Sequence, residues 1–394
     1  MVREKFMTIG VFFGSRSAEH DVSVITGEFI ISELKKIGHT PVPVYISKQG
    51  EWCLGEGLES LKAFVAGSDV ISKNKQYYLD LEQSHGKMVF KQKGLLGKEV
   101  TIDLAFPAFH GTFGEDGAVQ GIFEMLWVPY VGCGVPTSAI AMDKILTKQM
   151  LQSQNIPTTK FVWAYKGEWE ADKNVLLSKA KNLQLPVFVK PAHMGSSIGI
   201  SKVKDWAQLE DSLDVAFHYD DKVLVEEGVT DVVDVTCALL ETETGIRVSL
   251  LQESTFAGDM FDYNSKYLEG SGETAVHSGP GIIIPAKIDE AKTKQIQDWS
   301  KAIFRTLGAN GTMRVDFLVD GETGQIFANE INPLPGTLYH HLWEKSGVPL
   351  QQVLTHLIDA AEKVYTERSQ LLYTFDSPIL QQLKGAKFGT KLSR

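Results

Sequence analysis

The sequence predicts an α/β fold that opens with a doubly wound parallel sheet. In its N-terminal part, strand-like apolar runs alternate with a long amphipathic stretch, and this alternation is typical of parallel strands with helices on both faces of the sheet. At 394 residues the chain is too long for one ordinary core, so two or three domains are expected. Ligands of such sheets bind where the strands end at their carboxyl side.

The N-terminal elements follow from hydrophobic periodicity and from the residues that stop each run. The expected elements are a strand at 7–13, a helix at 18–37 closed by Gly38, strands at 41–46 and 101–106, and a glycine-rich loop from Gly111 to Gly121. Because that loop follows a parallel strand, it is expected at the ligand-binding edge of the sheet.

The remaining chain predicts further strands and helices in a less regular order. The expected elements are a helix at about 138–153, a strand-loop-strand unit over 187–203, a strand at 223–227 that continues into 234–240, and helices at 289–307 and 348–365. Gly308 is the predicted stop of the helix at 289–307. The chain shows no internal repeat.

Composition excludes several classes of protein. Hydrophobic residues make up 43% and charged residues 22%, as in globular proteins. A formal charge of −10 leaves no basic stripe for nucleic acid. Three widely spaced cysteines indicate neither a disulfide framework nor a zinc site. The N-terminus lacks a signal-peptide pattern, and no apolar run reaches the roughly 20 residues that cross a bilayer, so no membrane partner and a cytoplasmic location are expected.

Two short polar strands near the C-terminus predict a metal site. Side chains alternate along a strand, so Arg314 shares a face with Asp316, and Glu330 shares one with Asn332. Carboxylate and amide oxygens suit magnesium, which completes its shell with water and nucleotide phosphates. An arginine beside such a metal indicates a centre where phosphoryl charge is neutralised. The alternative is two amphipathic strands with solvated charges.

A glycine-rich segment between two predicted strands is a candidate phosphate loop. It runs from Lys190 to Gly199 and contains Ser196 and Ser197, whose loop amides can fold over phosphate oxygens while Lys190 supplies a point charge. It matches neither the P-loop nor the dinucleotide pattern. The alternative is an ordinary hairpin loop with a surface lysine.

A long glycine-rich stretch, Ser254 to Gly281, is a candidate lid. Long loops without regular structure are uncommon in compact domains and are usually functional lids or disordered. Its aromatic residues and Lys266 favour the lid, which would exclude water from a reactive phosphorylated intermediate.

Taken together, seven motifs in this order resemble those of the D-alanine–D-alanine ligase family of ATP-grasp enzymes, over roughly residues 7 to 360. They are Gly14 to Ser23, His110 to Gly117, Met142-Asp-Lys144, Lys190 to Gly199, Tyr263 to Tyr267, Arg314-Val-Asp316, and Glu330 to Gly336. The resemblance implies a two-lobed ATP-grasp fold after the N-terminal sheet. It also implies ATP, magnesium or manganese as two ions, small D-amino acids, a homodimer, and a role in peptidoglycan synthesis and cell shape.

The resemblance assigns residues to a nucleotide and metal site. Asp316, Glu330 and Asn332 match the metal ligands. The expected ATP-binding residues are Lys144, Lys190, Ser196, Ser197, Glu226, Glu227, Val229, Asp234, Lys266, Asn329 and Glu330. Arg314 and the amide of Gly336 match the groups that stabilise the acyl phosphate and the tetrahedral oxyanion. The expected domains are 1–132, a central lobe 133–225 and a C-terminal lobe 226–394.

The resemblance also implies the substrate contacts. Glu19 matches the residue that receives the ammonium of the first D-alanine, linked through Ser196 to Tyr267 on the lid. A structural alternative for Glu19 is a favourable interaction with the helix dipole. His110 matches a residue of the first-substrate pocket, although a histidine beside a glycine turn is also compatible with a structural role. Glu115 and Asp116 either contact the site or cap the next helix.

The acceptor pocket departs from the family pattern. His341 stands where a serine is expected to hold the second substrate's carboxylate, next to Leu342, and a histidine can donate to a carboxylate, most strongly when protonated. Three hypotheses follow: a ligase that makes D-alanyl-D-alanine, the same chemistry with D-serine or D-lactate as acceptor, and a nucleotide-binding protein without turnover. Tyr267 favours an amine acceptor, because ester-forming relatives usually lack it.

Overall fold

A computed structural model describes residues 6–64, 70, 74–94, 97–254, 281–334 and 336–380. The strands are β1 Thr8–Gly14, β2 Thr40–Ile46, β3 Trp52–Leu54, β4 Tyr77–Leu79, β5 Met88–Gln92, β6 Glu99–Ile102, β7 Leu104–Pro107, β8 Phe161–Tyr165, β9 Val187–Pro191, β10 Ser201–Val203, β11 Lys222–Glu227, β12 Val232–Thr242, β13 Gly245–Ser254, β14 Ile282–Ile283, β15 Thr312–Asp320 and β16 Ile326–Asn332. The helices are α1 His20–Lys36, α2 Ala118–Met125, α3 Val135–Met142, α4 Lys144–Ser153, α5 Lys166–Ala171, α6 Lys173–Ala180, α7 Leu209–Tyr219, α8 Glu290–Thr306, α9 His340–Lys345 and α10 Leu350–Ser369.

The N-terminal sheet has the strand order β3-β2-β1-β7. Strand β1 pairs in parallel with both β2 and β7, as predicted, and β3 adds an antiparallel edge. The single strand predicted at 101–106 was wrong, because the chain is divided at Asp103 between β6 and β7, which belong to different sheets. The Asp103 carboxylate accepts a hydrogen bond from the backbone amide of Thr8 at 2.9 Å, so the residue between β6 and β7 is fixed beside the start of β1.

The two faces of this sheet are covered by different structures. Ile9, Val11 and Phe13 of β1 belong to a core shared with α1 and the C-terminal helix α10. Phe12 points to the opposite face, where it packs against α2 and the antiparallel sheet β4-β5-β6. Helices on both faces were expected and are present, and the three-stranded sheet beside α2 is an addition that the sequence analysis did not predict.

The order of the strands places a crevice beside β1. Strand β2 pairs with one edge of β1, and β7 pairs with the other edge. After β1 the chain continues to β2, so the segments that follow β1 and β7 diverge at the carboxyl ends of these strands. In doubly wound sheets this divergence is where ligands bind. The Ser17 hydroxyl bridges the two segments by donating to the carbonyl oxygen of His110 at 2.8 Å.

Two further sheets form the predicted two-lobed unit. The first has the order β10-β9-β11-β8 and is covered by α6 and α7, which the sequence analysis did not predict. The second has the order β14-β13-β12-β15-β16 and packs on α8. The two lobes expected after the N-terminal sheet are therefore present. The expected continuation of 223–227 into 234–240 is corrected, because β11 and β12 lie in different sheets.

The helix predicted at 138–153 is two helices, α3 and α4, separated at Asp143. The Asp143 carboxylate accepts from the amides of Ile145 and Leu146 and so caps α4 at its N-terminus. The loop predicted from Gly111 to Gly121 is also shorter than expected, because α2 already begins at Ala118. Both boundaries depend on capping side chains, which hydrophobic periodicity does not report.

The predicted division at 133 falls between β7 and α3, whereas the predicted boundary at 225/226 lies inside strand β11. The three-domain division stays a prediction. Among the described residues, none of the helices has the length and apolar character that a bilayer crossing requires.

Candidate functional site

Glu19 connects the N-terminal domain with the predicted phosphate loop. It lies at the start of α1, its side chain is buried, and its Oε1 accepts a hydrogen bond from the hydroxyl of Ser196. Gly111 and Gly195 line the carboxylate. A Cβ on Gly111 would lie 2.8 Å from Glu19 Oε2, and one on Gly195 would overlap the same atom. The structure thus contains the predicted contact between Glu19 and Ser196.

His110 and Glu115 are two further buried polar residues near Glu19. Burial, with a smaller contribution from the Arg314 charge, lowers the pKa of His110 to about 4, so the ring is neutral at pH 7. Its Nε2 lies 2.8 Å from Thr26 Oγ1. Burial and the Glu19 charge raise the pKa of Glu115 to about 8, and its carboxylate accepts from the Gly111 amide at 2.6 Å.

These contacts decide between the alternatives for Glu115 and Asp116. Asp116 accepts from the amide of Ala118 at 3.0 Å, at the start of α2, so the capping interpretation applies to Asp116. Glu115 instead closes the loop onto Gly111 and faces Glu19 and His110. The sequence analysis left Glu115 undecided, and its burial beside two other titratable groups identifies it as part of the candidate site.

Strands β15 and β16 bring the predicted metal ligands together. Arg314 pairs with Asn332, and Asp316 pairs with Glu330, so the four side chains share one face of the sheet. Asp316 Oδ2 accepts from Arg314 Nη2 at 2.7 Å and from Asn332 Nδ2 at 3.1 Å, while its Oδ1 accepts from the hydroxyl of Thr236. The predicted face sharing is confirmed.

Asn329 lies where the ladder between β15 and β16 shifts register. Asp316 is opposite Glu330, but Phe317 is opposite Ala328, so Asn329 is the extra residue of a β-bulge. Bulges commonly sit beside functional sites, where they redirect side chains. Its role in ATP binding stays a prediction.

The donor set fits a hard divalent cation. Asp316, Glu330 and Asn332 offer carboxylate and amide oxygens from adjacent strands, which is the chemistry that magnesium and manganese prefer. The amide nitrogen of Asn332 already donates to Asp316, which leaves the Asn332 oxygen as the group suited to a metal. A cation here would lie beside the Arg314 guanidinium.

Arg314 extends this cluster toward the acceptor side. Its guanidinium carbon lies 4.8 Å from the centre of the Tyr339 ring, a cation–π geometry. A Cβ on Gly336 would lie 3.2 Å from His110 Cε1, so Gly336 lies beside a residue of the predicted first-substrate pocket. Thr337, Leu338 and Tyr339, which follow Gly336, all have positive φ angles, and such conformations cluster at functional sites.

The predicted phosphate lysine Lys190 is paired with Glu226. Glu226 is buried, one of its oxygens binds Lys190, and the other binds Lys148 at 2.6 Å and the hydroxyl of Thr159. Burial would raise the pKa of Glu226, but the two ammonium groups outweigh burial and hold that pKa well below its usual range. The Glu226 side chain is therefore a charged anchor for Lys190.

The fully buried ammonium of Lys148 gives a stability prediction. Lys148→Met leaves Glu226 with one ammonium partner fewer in a buried site, and we expect a loss of about 3–5 kcal/mol in the free energy of unfolding, measured with urea. Adding Glu226→Gln is expected to recover much of that loss, because the buried carboxylate charge is removed with its partner.

The surface pair Lys160–Glu227 is the matched control for this experiment. Its atoms are 3.8 Å apart and the Lys160 side chain is 74% exposed, so Lys160→Met should change the unfolding free energy by less than about 1 kcal/mol. Equal losses for Lys148→Met and Lys160→Met would contradict the assignment of a buried ion pair.

The other predicted nucleotide residues lie on several elements of the two lobes. Lys144, the first residue of α4, donates from Nζ to the carbonyl oxygen of Met194 at 2.6 Å, inside the predicted phosphate loop. Glu227 ends β11, and Asp234 faces Ser254 and Leu318 across β12. Val229 lies between these two strands, and Ser197 follows Ser196 in the loop. Their contacts with ATP stay predictions.

The predicted acceptor residues differ in their surroundings. His341 Nε2 lies 2.6 Å from Gln252 Oε1, and burial with the neighbouring His340 and Arg314 charges lowers the pKa of His341 to about 4. The protonated form, which would donate most strongly to a carboxylate, is therefore not favoured near neutral pH, and the role of His341 in acceptor binding stays a prediction. Leu342 is fully buried in the core shared with α1 and α10, so its side chain packs rather than faces a substrate.

Residues 255–280 of the predicted lid, which include Lys266 and Tyr267, lie outside the described residues. Among the described ones, the sequence analysis missed Lys148, Thr159 and Thr236, each of which binds a predicted site residue. Lys148 lies one helical turn after Lys144, and that spacing was the available signal.

Comparisons with known proteins agree with this geometry. A family model described as the D-ala D-ala ligase N-terminus matches residues 8–133, and one described as the D-ala D-ala ligase C-terminus matches residues 150–359. The chain is 36% identical to a D-alanine–D-alanine ligase of Thermosipho africanus over 372 residues, which covers 94% of this chain and 97% of that protein.

Solved structures give the same result. The D-alanine–D-alanine ligase of Coxiella burnetii is similar with a TM-score of 0.75 and 26% identity, covering 96% of this chain and 98% of that one. The VanG D-Ala:D-Ser ligase of Enterococcus faecalis is similar with a TM-score of 0.74 and 30% identity, covering 91% of this chain and all (100%) of that one.

Proposed function

We propose a reaction for this chain from one premise: the chain belongs to the D-alanine–D-alanine ligase family. The proposed reaction joins two D-alanines at the cost of ATP, through an acyl phosphate, and yields D-alanyl-D-alanine for peptidoglycan precursors. The observation that carries the proposal is the antiparallel pairing of Arg314 with Asn332 and of Asp316 with Glu330, beside the pocket of Glu19 and His110.

In the first step, a carboxylate oxygen of one D-alanine attacks the γ-phosphorus of ATP and ADP leaves. Glu19 is the proposed partner of that substrate's ammonium, because its carboxylate is buried at the start of α1 and is held by Ser196. The neutral His110 ring contributes hydrogen bonding without added positive charge. Positioning and charge neutralisation supply most of the rate increase in such transfers.

In the second step, the amine of the acceptor attacks the acyl carbon, the carbon–oxygen bond to phosphate breaks, and phosphate leaves. The proposed groups for the oxyanion are the Arg314 guanidinium and the Gly336 amide. Asp316 and the Tyr339 ring hold the guanidinium from two sides, which supports a fixed orientation during this step.

The proposed metal ligands are Asp316, Glu330 and Asn332, and the proposed occupants are two magnesium or manganese ions. When bound, such ions neutralise phosphate charge and orient the transferred group. The proposed phosphate contacts are Lys144 and Lys190, with Lys266 from the lid; Ser197, Glu227, Val229, Asp234 and Asn329 are proposed for the rest of the nucleotide. ATP as substrate supports a cytoplasmic location, and family membership supports a homodimer, which sedimentation would test.

The test of the reaction uses purified protein with ATP, magnesium and D-alanine, followed by phosphate release and product mass. We expect stoichiometric phosphate and D-alanyl-D-alanine, and no product with L-alanine. The assay is repeated with D-serine and D-lactate as acceptors. Phosphate release without any condensed product with all three acceptors would reject ligase chemistry, and absence of both would favour the nucleotide-binding hypothesis.

D-Serine is the second candidate acceptor. Two observations favour it: the similarity to a D-Ala:D-Ser ligase, and His341 in place of the family's serine. D-Lactate stays the remaining alternative. The discriminating measurement is product mass in mixtures of D-alanine with each competitor.

His341→Ala tests the acceptor pocket. Because His341 is neutral and binds Gln252, its loss removes a positioned hydrogen-bonding group, and we expect the KM for the second amino acid to rise about tenfold, with little change in the KM for ATP. His356→Ala on α10 is the control and should leave all constants unchanged. An equal rise in the KM values for the first amino acid, the second amino acid and ATP would show that His341 is not an acceptor contact.

A further inference from the structure

His193 lies within the predicted phosphate loop and contacts two segments outside it, the start of α4 and the turn before β11. Its backbone amide donates to Asp220 Oδ2 at 2.7 Å, and its ring Nδ1 lies 3.0 Å from Asp220 Oδ1. The other ring nitrogen, Nε2, lies 3.4 Å from Asp143 Oδ2. One imidazole therefore bridges the N-cap of α4 and the turn that precedes β11.

The two bridged elements carry the proposed nucleotide residues. Asp143 caps the helix that begins with Lys144, and the Lys144 ammonium donates to the carbonyl oxygen of Met194, next to His193. Asp220 precedes β11, whose Glu226 binds Lys190. His193 thus follows Lys190 by three residues and contacts the carboxylate that caps the helix of Lys144.

The loop beyond His193 adopts a conformation that its own sequence does not favour. Ser196 and Ser197 have φ angles of 51° and 61°, in the left-handed region that L-residues other than glycine avoid. Such residues persist when the surrounding structure holds them. At its far end the loop is held by the bond from Ser196 to Glu19, and at its near end by His193.

We propose that His193 is a positioning residue for nucleotide binding, which as an imidazolium between Asp143 and Asp220 holds the loop so that its amides, Lys190 and Ser196 meet ATP and Glu19. This role rests on the proposed function for the identity of the nucleotide. His193 does not touch the reacting atoms, and its effect acts through the loop.

The charges around His193 support the imidazolium. The facing groups are Asp143 at the start of α4, Asp220 and Asp221 before β11, and Lys222, which itself binds Asp143 at 2.6 Å. Hydrogen bonds to Asp143 and Asp220 raise the pKa of His193 to about 9. The bridge is therefore complete below pH 9 and is lost as the pH rises through that value.

The experiment compares three substitutions of this ring. In the His193→Asn variant the side-chain amide takes the place of Nδ1 and can reach Asp220. In His193→Gln the amide takes the place of Nε2 and can reach Asp143. His193→Ala removes both ring contacts. The control is His218→Ala, on the exposed surface of α7 in the same lobe. Affinity for ADP with magnesium is measured by calorimetry, beside the KM values and kcat for the reaction with ATP and D-alanine.

We expect His193→Ala to weaken ADP binding and raise the KM for ATP by about tenfold or more, with a smaller change in the KM for the first D-alanine, which Glu19 still holds. The Asn and Gln variants should also bind ADP more weakly than wild type, because each keeps only one of the two contacts and neither can bridge Asp143 and Asp220. Wild-type affinity should fall above about pH 9, and the variants should show no such step.

Nucleotide affinity in the Ala variant equal to wild type, with only a lower melting temperature, would overturn the proposal. So would an Ala variant that keeps the step near pH 9. Because ADP binding is measured without turnover, the proposal is tested even if the wild-type protein does not make the dipeptide, and that second result would count against the proposed function alone.

Discussion

Glu330→Gln is expected to abolish turnover while the protein still folds. The substitution keeps the shape of the side chain, which lies partly exposed opposite Asp316, but removes one of two carboxylates from the proposed metal site. A metal at such a centre contributes several kcal/mol of transition-state stabilisation, and a loss of about 4 kcal/mol corresponds to roughly a thousandfold in kcat. Phosphate release under saturating ATP, magnesium and D-alanine measures this effect.

Glu322→Gln is the control for that substitution, because Glu322 lies at the exposed turn that joins the same two strands. It carries the same loss of charge and should leave kcat within a factor of about two. Unfolding in urea should show similar stability for both variants. A Glu330→Gln enzyme with near-normal kcat would remove Glu330 from the metal site, whatever its stability.

Gly195→Ala, which replaces a single hydrogen by a methyl group, is expected to damage activity much more than folding. The added Cβ would overlap the Glu19 carboxylate, which is the flexible end of its side chain and can move away at little cost in folding. The displaced carboxylate would lose its bond to Ser196 and its proposed place for the substrate ammonium. We expect kcat/KM for the first D-alanine to fall about a hundredfold or more, because small misplacements in a site have effects of this size.

Gly167→Ala provides the matched comparison. Gly167 lies in α5 of the central lobe, and its added Cβ would meet nothing within 4 Å. Alanine is also the better helix former, so this variant should be active and slightly stabilised. The free energy of unfolding of Gly195→Ala is measured in urea. If it falls enough to account for the loss of activity, the loss reflects folding, and the inferred geometry around Glu19 is wrong.

Regular periodicity predicted the elements that bury one continuous face. The helix expected at 18–37 is α1, and the helix expected at 289–307 is α8 with Asp289 as its N-cap, because apolar residues recur on one face of each and a glycine follows both. The metal-site residues were visible for a similar local reason. In a strand, the alternation of side chains already assigns Arg314 and Asp316 to one face.

Where elements join, the sequence was a poorer guide. The apolar run at 101–106 does not reveal the change of sheet at Asp103, and the pattern at 138–153 continues through Asp143 although the helix does not. In the second case the break depends on a carboxylate held by Lys222 and His193, and neither partner is near it in the sequence. Long-range partners of this kind leave no periodic signal.

By itself, the sequence determined the secondary structure of the long elements, the family, and the pairing of polar side chains along β15 and β16. The tertiary structure decided the charge states and the contacts between distant segments. Glu19 and Ser196 are 177 residues apart, and their bond depends on how the N-terminal sheet meets the loop after β9. The neutrality of His110 and His341 depends on burial by many other residues. The physical reason is that desolvation and charge interactions depend on the arrangement of the whole chain in space, whereas helix and strand patterns depend on near neighbours.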